Sequence, residues 1–456
     1  MSSRFHAFSH AAAASSHRSA AVLPVETAID DDQTARLSLR MRLHQQLLDH
    51  INLSAIDKMP PEELRRQVAE IVREMLSREQ TAMNVKEQAQ LTADILDELL
   101  GLGPLEPLLK DPAISEILVN THAQVIVERA GKLEQTSVRF KDDRHLLRII
   151  NKIVGNVGRR VDESQPLVDA RLADGSRVNA VIPPVAVDGP LLSIRKFSRN
   201  PYSLTRMIEA GSLSAPMAVF LDLVVKGKLN VLISGGTGSG KTTMLNAMSL
   251  SIGQDERIIT IEDAAELQLQ QTQVARMETR PSNVEGKGEI TQRDLVRNAL
   301  RMRPDRIILG EVRSGEAFDM LQAMNTGHGG SMSTVHANTC RDALSRLEQM
   351  IGMAGIEMSQ RTVRTQIASA IQIVLQLERM NDGRRRLTSI HEVSGMEGDM
   401  ITMTEIFHFD RRGTDAEGKV LGSFTATGLR PRCMREMEAK GIHAPKDLFD
   451  PAPTKN

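Results

Sequence analysis

The sequence predicts an α/β protein whose largest domain is built on a mostly parallel sheet, preceded by a mixed α/β module and a small helical module. Three observations predict it. Apolar runs at 231–234, 257–261, 306–309 and 331–335 alternate with helical stretches, which is the pattern of βα units. Between residues 34 and 100 apolar residues recur at helical spacing instead. Finally, a complete GxxxxGK[ST] string, Gly235-Gly236-Thr237-Gly238-Ser239-Gly240-Lys241-Thr242, directly follows the first apolar run, where a strand-loop-helix unit requires it.

Taken in order, residues 1–33 are rich in Ala, Ser and His, and His10, Ser15, Ser16 and His17 interrupt any signal-peptide apolar core, so they read as a disordered tail. Over 34–100, Leu37, Met41 and Leu48 recur near one helix face. After Pro60 and Pro61, the residues Val68, Ile71, Val72, Met75 and Leu76 form a second stripe, which makes a helical module. From 101 to 197 the character changes: GLGPLEPLL is followed by β-like runs at 116–119 and 125–128 and a helical segment over 144–157, which makes an α/β N-terminal domain. Residues 198–206, with Pro201 inside, read as a linker. The domain over 207–450 carries the βα units. After about Gln372 it turns β-rich, with Gly383, Gly395, Gly413, Gly418, Gly422 and Gly428 as turn punctuation, and no internal repeat is visible.

Composition narrows the function. A length of 456 residues suits about three domains. Lys and Arg total 57 against 58 Asp and Glu, a formal charge of −1, so nothing in the overall balance draws the chain to nucleic acid or an anionic membrane. Aromatic residues are only 2% of the chain, too few to build stacking platforms for single-stranded nucleic acid. The two cysteines, Cys340 and Cys433, lie far apart with no CxxC, which argues against a zinc ribbon, a redox motif or a disulfide framework and makes a cytosolic setting the default. The greasiest stretch, around 219–234, is broken by Asp222, Lys226, Lys228 and Asn230, so no membrane span is expected. The charge clusters at 302–306 and Arg384-Arg385-Arg386 read as solvated faces rather than nucleic-acid patches.

The glycines of the GxxxxGK[ST] loop let backbone N–H groups turn toward phosphates and join the helix dipole in holding an anion; Lys241 reaches the β and γ phosphates and the Thr242 hydroxyl suits Mg²⁺. Acids are then needed nearby. The run 258–261 delivers Glu262 and Asp263 to one strand end, and 307–309 delivers Gly310, Glu311 and Arg313 to another. Glycine stands there where many P-loop enzymes carry aspartate, so the metal-side acid shifts to Glu311. Two histidines, His328 and His336, flank a further apolar run; each either senses a γ phosphate or a catalytic carboxylate, or simply caps a helix and packs after a strand.

In order and spacing, GGTGSGKTT (235–243), ITIEDAAEL, IILGEVR (307–313) and TGHGGSMSTVHAN (326–338) resemble the Walker A, Asp box, Walker B and His box of type II/IV secretion ATPases, ring-forming motors of secretion systems and type IV pili. The segments LGPLEPLLKDPAISEILVN (102–120), DARLADGSRVNAVIPP (169–184), 278–317 and TATGLRPRCMREMEAKGI (425–442) look like the CpaF branch, the ATPase of tight-adherence (Tad or Flp) pili, and the resemblance covers roughly residues 35 to 450. It implies a RecA-like P-loop motor domain, a mobile N-terminal domain that closes on it, and a homo-hexamer. It implies that Arg171, Arg177 and Arg195 are phosphate-facing. The eight-position spacing of His328 and His336 favours the Tad and type IV secretion side over pilus-retraction motors.

The expected function is therefore a Mg²⁺-dependent, cytoplasmic ATP hydrolase powering Tad-type pilus assembly through an inner-membrane platform protein, touching the membrane only through partners and binding no nucleic acid directly. ATP would lie on residues Gly235 to Thr243. Thr242, Glu262 and Glu311 would serve the metal, Glu311 would orient or deprotonate water, and His336 and His328 would read nucleotide state. The alternatives are a type IV secretion or conjugation ATPase, a nucleic-acid translocase, since RecA-like motors also drive helicases, and an inactive ring scaffold.

Overall fold

A computed structural model describes residues 61–78, 84–129, 131–197, 202–280, 282 and 287–451. The expectations for the tail, for the stripe of Leu37, Met41 and Leu48, and for Pro201 in the linker lie outside these residues. The chain divides into two compact units, Met1–Pro104 and Leu105–Asn456.

In the first unit two amphipathic helices pack together, α1 (Pro61–Arg78) and α2 (Val85–Leu100). Pro61 begins α1, where a missing N–H costs nothing. Asn84 and Glu87 form a capping box that satisfies two orphan amides at the start of α2. Val68, Val72 and Leu76 from α1 and Leu91 and Ile95 from α2 are buried.

The second unit holds two sheets. Its N-terminal part runs α3 (Glu106–Lys110), β1 (Ile114–Thr121), β2 (Gln124–Arg129), β3 (Lys132–Gln135), α4 (Asp143–Asn156), β4 (Leu167–Arg171), β5 (Arg177–Val181) and β6 (Leu191–Arg195). The strands form an antiparallel sheet ordered β3-β2-β1-β6-β5-β4. Leu146, Ile149, Ile150, Ile153 and Val154 recur at helical spacing and bury one face of α4.

Within the expected linker, residues 198–201 are not described, and Ser203 already caps α5 (Leu204–Glu209), its hydroxyl accepting from the Arg206 N–H. The larger part then runs α6 (Ala215–Lys226), β7 (Val231–Gly235), α7 (Lys241–Ser249), β8 (Ile258–Glu262), β9 (Val274–Glu278), α8 (Gln292–Ala299), β10 (Arg306–Val312), α9 (Glu316–Asn325), β11 (Met332–Val335), α10 (Cys340–Met353), α11 (Gln360–Ala370), β12 (Ile373–Arg379), β13 (Arg385–Glu397), β14 (Met400–Thr414), β15 (Val420–Ala426) and α12 (Cys433–Ala439). Its nine-stranded sheet is ordered β15-β14-β13-β12-β7-β11-β10-β8-β9. The six strands from β12 to β9 pair in parallel; β13, β14 and β15 add antiparallel hairpins to the same sheet, so the β-rich C-terminal stretch continues the P-loop sheet.

Burial on both faces explains the continuous apolar runs that the parallel strands show in sequence. Alternate residues feed opposite cores: Val231 and Ile233 of β7 join Ile258, Ile308 and Ile373 on one side, and Leu232 joins Ile259, Ile307 and Val374 on the other. This two-sided packing fixes the carboxyl ends of β7, β8, β10 and β11 side by side, where α/β sheets bind ligands. No helix among the described residues is long and apolar enough to cross a membrane.

Candidate functional site

The phosphate-binding loop leaves the buried strand β7 at Gly235 and enters α7 at Lys241. Two of its glycines are demanded by space and torsion. A Cβ at Gly235 would lie 2.6 Å from the Leu377 carbonyl oxygen, and Gly240 sits at φ 96°, a left-handed conformation that ordinary residues avoid. Lys241, Thr242 and Thr243 open α7, so their amides have no intrahelical acceptor and form a positive pole. The Lys241 ammonium folds back onto the loop, donating to the carbonyl oxygens of Gly235 at 3.1 Å and Gly236 at 3.2 Å. Burial holds its pKa below the ordinary value; Glu311 opposes that shift and Arg313 adds to it.

Two neighbouring strand ends converge on this lysine. Glu311, near the end of β10, places Oε1 3.8 Å from Lys241 Nζ and 3.3 Å from His336 Nε2, and His336 follows directly on β11. His336 Nε2 lies 3.3 Å from Lys241 Nζ. Burial, with the nearby Lys241 charge, pushes the imidazole below its usual pKa against the opposing pull of Glu311. The second oxygen of Glu311 accepts from Arg313 Nε at 2.8 Å and Nη2 at 2.5 Å, and Arg313 Nη1 also donates to Asp263 at 2.9 Å. Arg313 thus ties the two acidic strand ends together.

Glu262 ends β8 and is 3% exposed. Its Oε2 accepts from the amides of Glu266 at 2.6 Å and Leu267 at 2.9 Å, while Oε1 is buried with no hydrogen-bond partner among the described residues. Burial raises its pKa to about 7, overriding the two amide hydrogen bonds and Arg276, which favour the anion. A Cβ on Gly310 would stand 2.9 Å from Glu262 Cγ. The glycine in the acidic strand is therefore the space that Glu262 occupies.

The N-terminal sheet brings further arginines over the loop. Arg177 and Arg195 line the loop's cavity, of about 480 Å³, and each is ion-paired: Arg177 Nη1 with Glu266 at 2.8 Å, and Arg195 Nε with Glu116 at 2.6 Å. Arg171 does not line that cavity. It pairs with Glu278 at 2.9 Å in an adjoining cleft of about 910 Å³, because β4 lies at the outer edge of its sheet. His328 is also outside the cavity: it precedes β11 at the opposite end from His336, and its Nδ1 meets the Ala323 carbonyl of α9 at 3.2 Å. Of its two sequence readings, the geometry fits the helix-capping one.

Sequence reasoning missed Glu128, Arg379 and Arg385 and gave Arg313 no role, though all four line the site. The only signal for Arg385 was the run Arg384-Arg385-Arg386, read as a solvated face. Arg386 is in fact buried against Asp382 at 3.1 Å, and Arg385 Nε donates to the Gly238 carbonyl at 2.9 Å.

The constellation is a cationic cradle beside carboxyl oxygens. The loop amides, Lys241, Arg177 and Arg195 suit a polyphosphate. Glu262 Oε1, which has no hydrogen-bond partner among the described residues, and Glu311 Oε1, with the Thr242 hydroxyl at the first turn of α7, suit a hard divalent cation. Among the described residues no group of three or more His, Cys, Asp or Glu could hold a metal ion.

The family described as Type II/IV secretion system protein matches residues 98–416. A Mycobacterium tuberculosis protein provisionally named for conjugal transfer is 39% identical over 324 residues, 70% of this chain and 91% of its own. VirB11, a type IV secretion system protein of Bartonella henselae, is 32% identical over 336 residues, 64% of this chain and 92% of its own. Among solved structures, the VirB11 ATPase of the Brucella suis type IV secretion system, in complex with sulphate, is 29% identical, covering 64% of this chain and 96% of its own at a TM-score of 0.35.

Proposed function

The chain belongs to the type II/IV secretion system protein family, and from that premise and the site we propose that it is a Mg²⁺-dependent ATP hydrolase acting as a ring-forming motor. The observation that carries this reading is the convergence of Lys241, Glu311 and His336, within 3.3 to 3.8 Å of one another, on a glycine loop that opens a helix. Thr242, Glu262 and Glu311 would hold Mg²⁺, which would supply countercharge to the phosphates of bound ATP.

This chain's own groups then do the positioning. Loop amides and Lys241 hold the β and γ phosphates, for which Lys241 leaves the Gly235 and Gly236 carbonyls. Glu311, oriented by Arg313, directs or deprotonates the attacking water. His336 hydrogen-bonds Glu311 or the γ phosphate and so reports nucleotide state. Arg177 and Arg195 exchange their carboxylate partners for phosphate oxygens, a change that draws the N-terminal sheet onto the loop.

The motor's task is assembly of a Tad-type pilus, with a hexameric ring at the cytoplasmic face of the inner membrane pushing on a platform protein. The sequence features shared with the CpaF branch at 102–120, 169–184 and 425–442 support it. The names of the relatives favour a second reading, a conjugation or type IV secretion ATPase. Replacing the chromosomal gene with Lys241→Ala separates them. Loss of surface pili with DNA transfer and protein export intact supports the pilus motor; intact pili with lost transfer or export overturns it in favour of the second reading.

A further inference from the structure

Two arginines at the turn end of the β12–β13 hairpin stand opposite one another, Arg379 paired with Arg385 across the strands. Like charges directly opposite on a sheet repel. Here a carboxylate from the other sheet separates them: Glu128 of β2 places Oε2 3.7 Å from Arg379 Nη1 and Oε1 3.5 Å from Arg385 Nη2. Glu128 is 7% exposed, and the Ser115 hydroxyl donates to its Oε1 at 3.0 Å, so its orientation is set within the N-terminal sheet. Arg379 also donates to the Gly131 carbonyl in the turn after β2.

Both arginines then reach the phosphate-binding loop. Arg385 Nε donates to the Gly238 carbonyl at 2.9 Å, and its Cδ lies 3.4 Å from where a Cβ on Gly240 would be. Arg379 Nη1 stands 3.4 Å from the corresponding point at Gly238. A trans peptide is planar, with its C=O and N–H on opposite sides. Pinning the Gly238 carbonyl outward against Arg385 therefore turns the Ser239 N–H inward, where it meets the Gly236 carbonyl at 3.4 Å within the loop. Gly238 at φ 69° has no side chain to hold this peptide by other means.

We infer that Arg385, held in place by Glu128 of the N-terminal sheet, is a positioning residue for the nucleotide: it locks the Gly238–Ser239 peptide in the tight turn that the Ser239 N–H closes onto the Gly236 carbonyl, and so holds the loop in its phosphate-binding shape. The N-terminal sheet thereby sets nucleotide affinity through Glu128, separately from any contact its own arginines make with phosphate. The inference rests on the nucleotide-binding reading above.

The test is equilibrium titration of the full chain with a fluorescent ATP analogue and Mg²⁺, with kcat and KM for ATP and the unfolding midpoint measured for each variant. Arg385→Ala, which removes a hydrogen bond to a charged donor, should weaken binding about tenfold. Glu128→Gln, which loosens the same arginine, should weaken it about threefold, and combining the two should be no worse than Arg385→Ala alone, since both act through one contact. The loss should fall on KM, with kcat within about twofold of wild type. Arg385→Lys should stay weakened, because an ammonium lacks the fork that bridges Gly238 and Glu128.

Additive losses, full recovery with Arg385→Lys, or wild-type or tighter binding by Glu128→Gln would each overturn the inference. Should Glu128→Gln be too unstable to titrate, the Arg385→Ala and Arg385→Lys pair decides alone. Wild-type protein that binds no nucleotide removes the underlying reading itself. Wild-type binding that is lost in Lys241→Ala but unchanged in the Arg385 and Glu128 variants removes only this inference.

Discussion

Glu262→Gln tests whether the buried carboxyl beside Gly310 is as starved of solvent as its surroundings indicate. Burial raises its pKa from 4.5 to about 7, and at about 1.36 kcal/mol per pKa unit that gap is roughly 3 kcal/mol. The sign follows from proton counting. Between pH 4.5 and 7 the folded chain holds a proton at Glu262 that the unfolded chain has released, so wild-type stability falls as pH rises through this window. Above about pH 7 both states are ionised and the full cost is present; below 4.5 both are protonated and it vanishes. Glutamine keeps the oxygen that accepts from the Glu266 and Leu267 amides but never ionises. In EDTA, without nucleotide, the variant should match wild type near pH 4.5 and exceed it by on the order of 5 °C in unfolding midpoint at pH 8. Other titrating groups are common to both proteins and cancel in the difference. A difference that stays flat from pH 4.5 to 8 would refute the desolvated carboxyl.

Gly310→Ala should push its new methyl against Glu262 Cγ, only 2.9 Å away. Such overpacking costs about 1–3 kcal/mol, visible as a lowered unfolding midpoint together with reduced turnover, and a fully active, equally stable variant would contradict the packing described. Arg177→Ala should bind nucleotide nearly as wild type yet hydrolyse it about a hundredfold more slowly, as expected for a group whose contact matters mainly in the transition state. In the structure Arg177 is bonded to Glu266 of its own chain, so mixing Arg177→Ala with Lys241→Ala subunits should restore no activity; recovery would place the arginine in a neighbouring chain's site.

Much of this site was legible in sequence because its parts are local. The glycine loop, the apolar strand before it and the acidic strand ends each lie within a short run, and a strand buried on both faces announces itself as continuous apolar residues, as β7, β8 and β10 do. What depends on tertiary approach was not legible. The Arg384-Arg385-Arg386 run gives no sign that its last two side chains point to Asp382 and to the Gly238 carbonyl. Nor does anything near Glu128 mark it as a carboxylate seated between two arginines about 250 residues away. His328 and His336 look alike in sequence, but a four-residue strand separates them and sends them to opposite ends of the sheet. The glycine at 310 was visible, whereas its reason, the side chain of Glu262 on the adjacent strand, required the parallel register of β8 and β10.

The most direct measurement of the central claim is steady-state release of phosphate from ATP by the purified full chain in Mg²⁺, compared with Lys241→Ala and Glu311→Gln. The account predicts turnover by the wild type, none by Lys241→Ala with nucleotide binding weakened, and for Glu311→Gln retained binding with turnover slower by about 10² or more. Full turnover by Lys241→Ala, or wild-type turnover by Glu311→Gln, would contradict it.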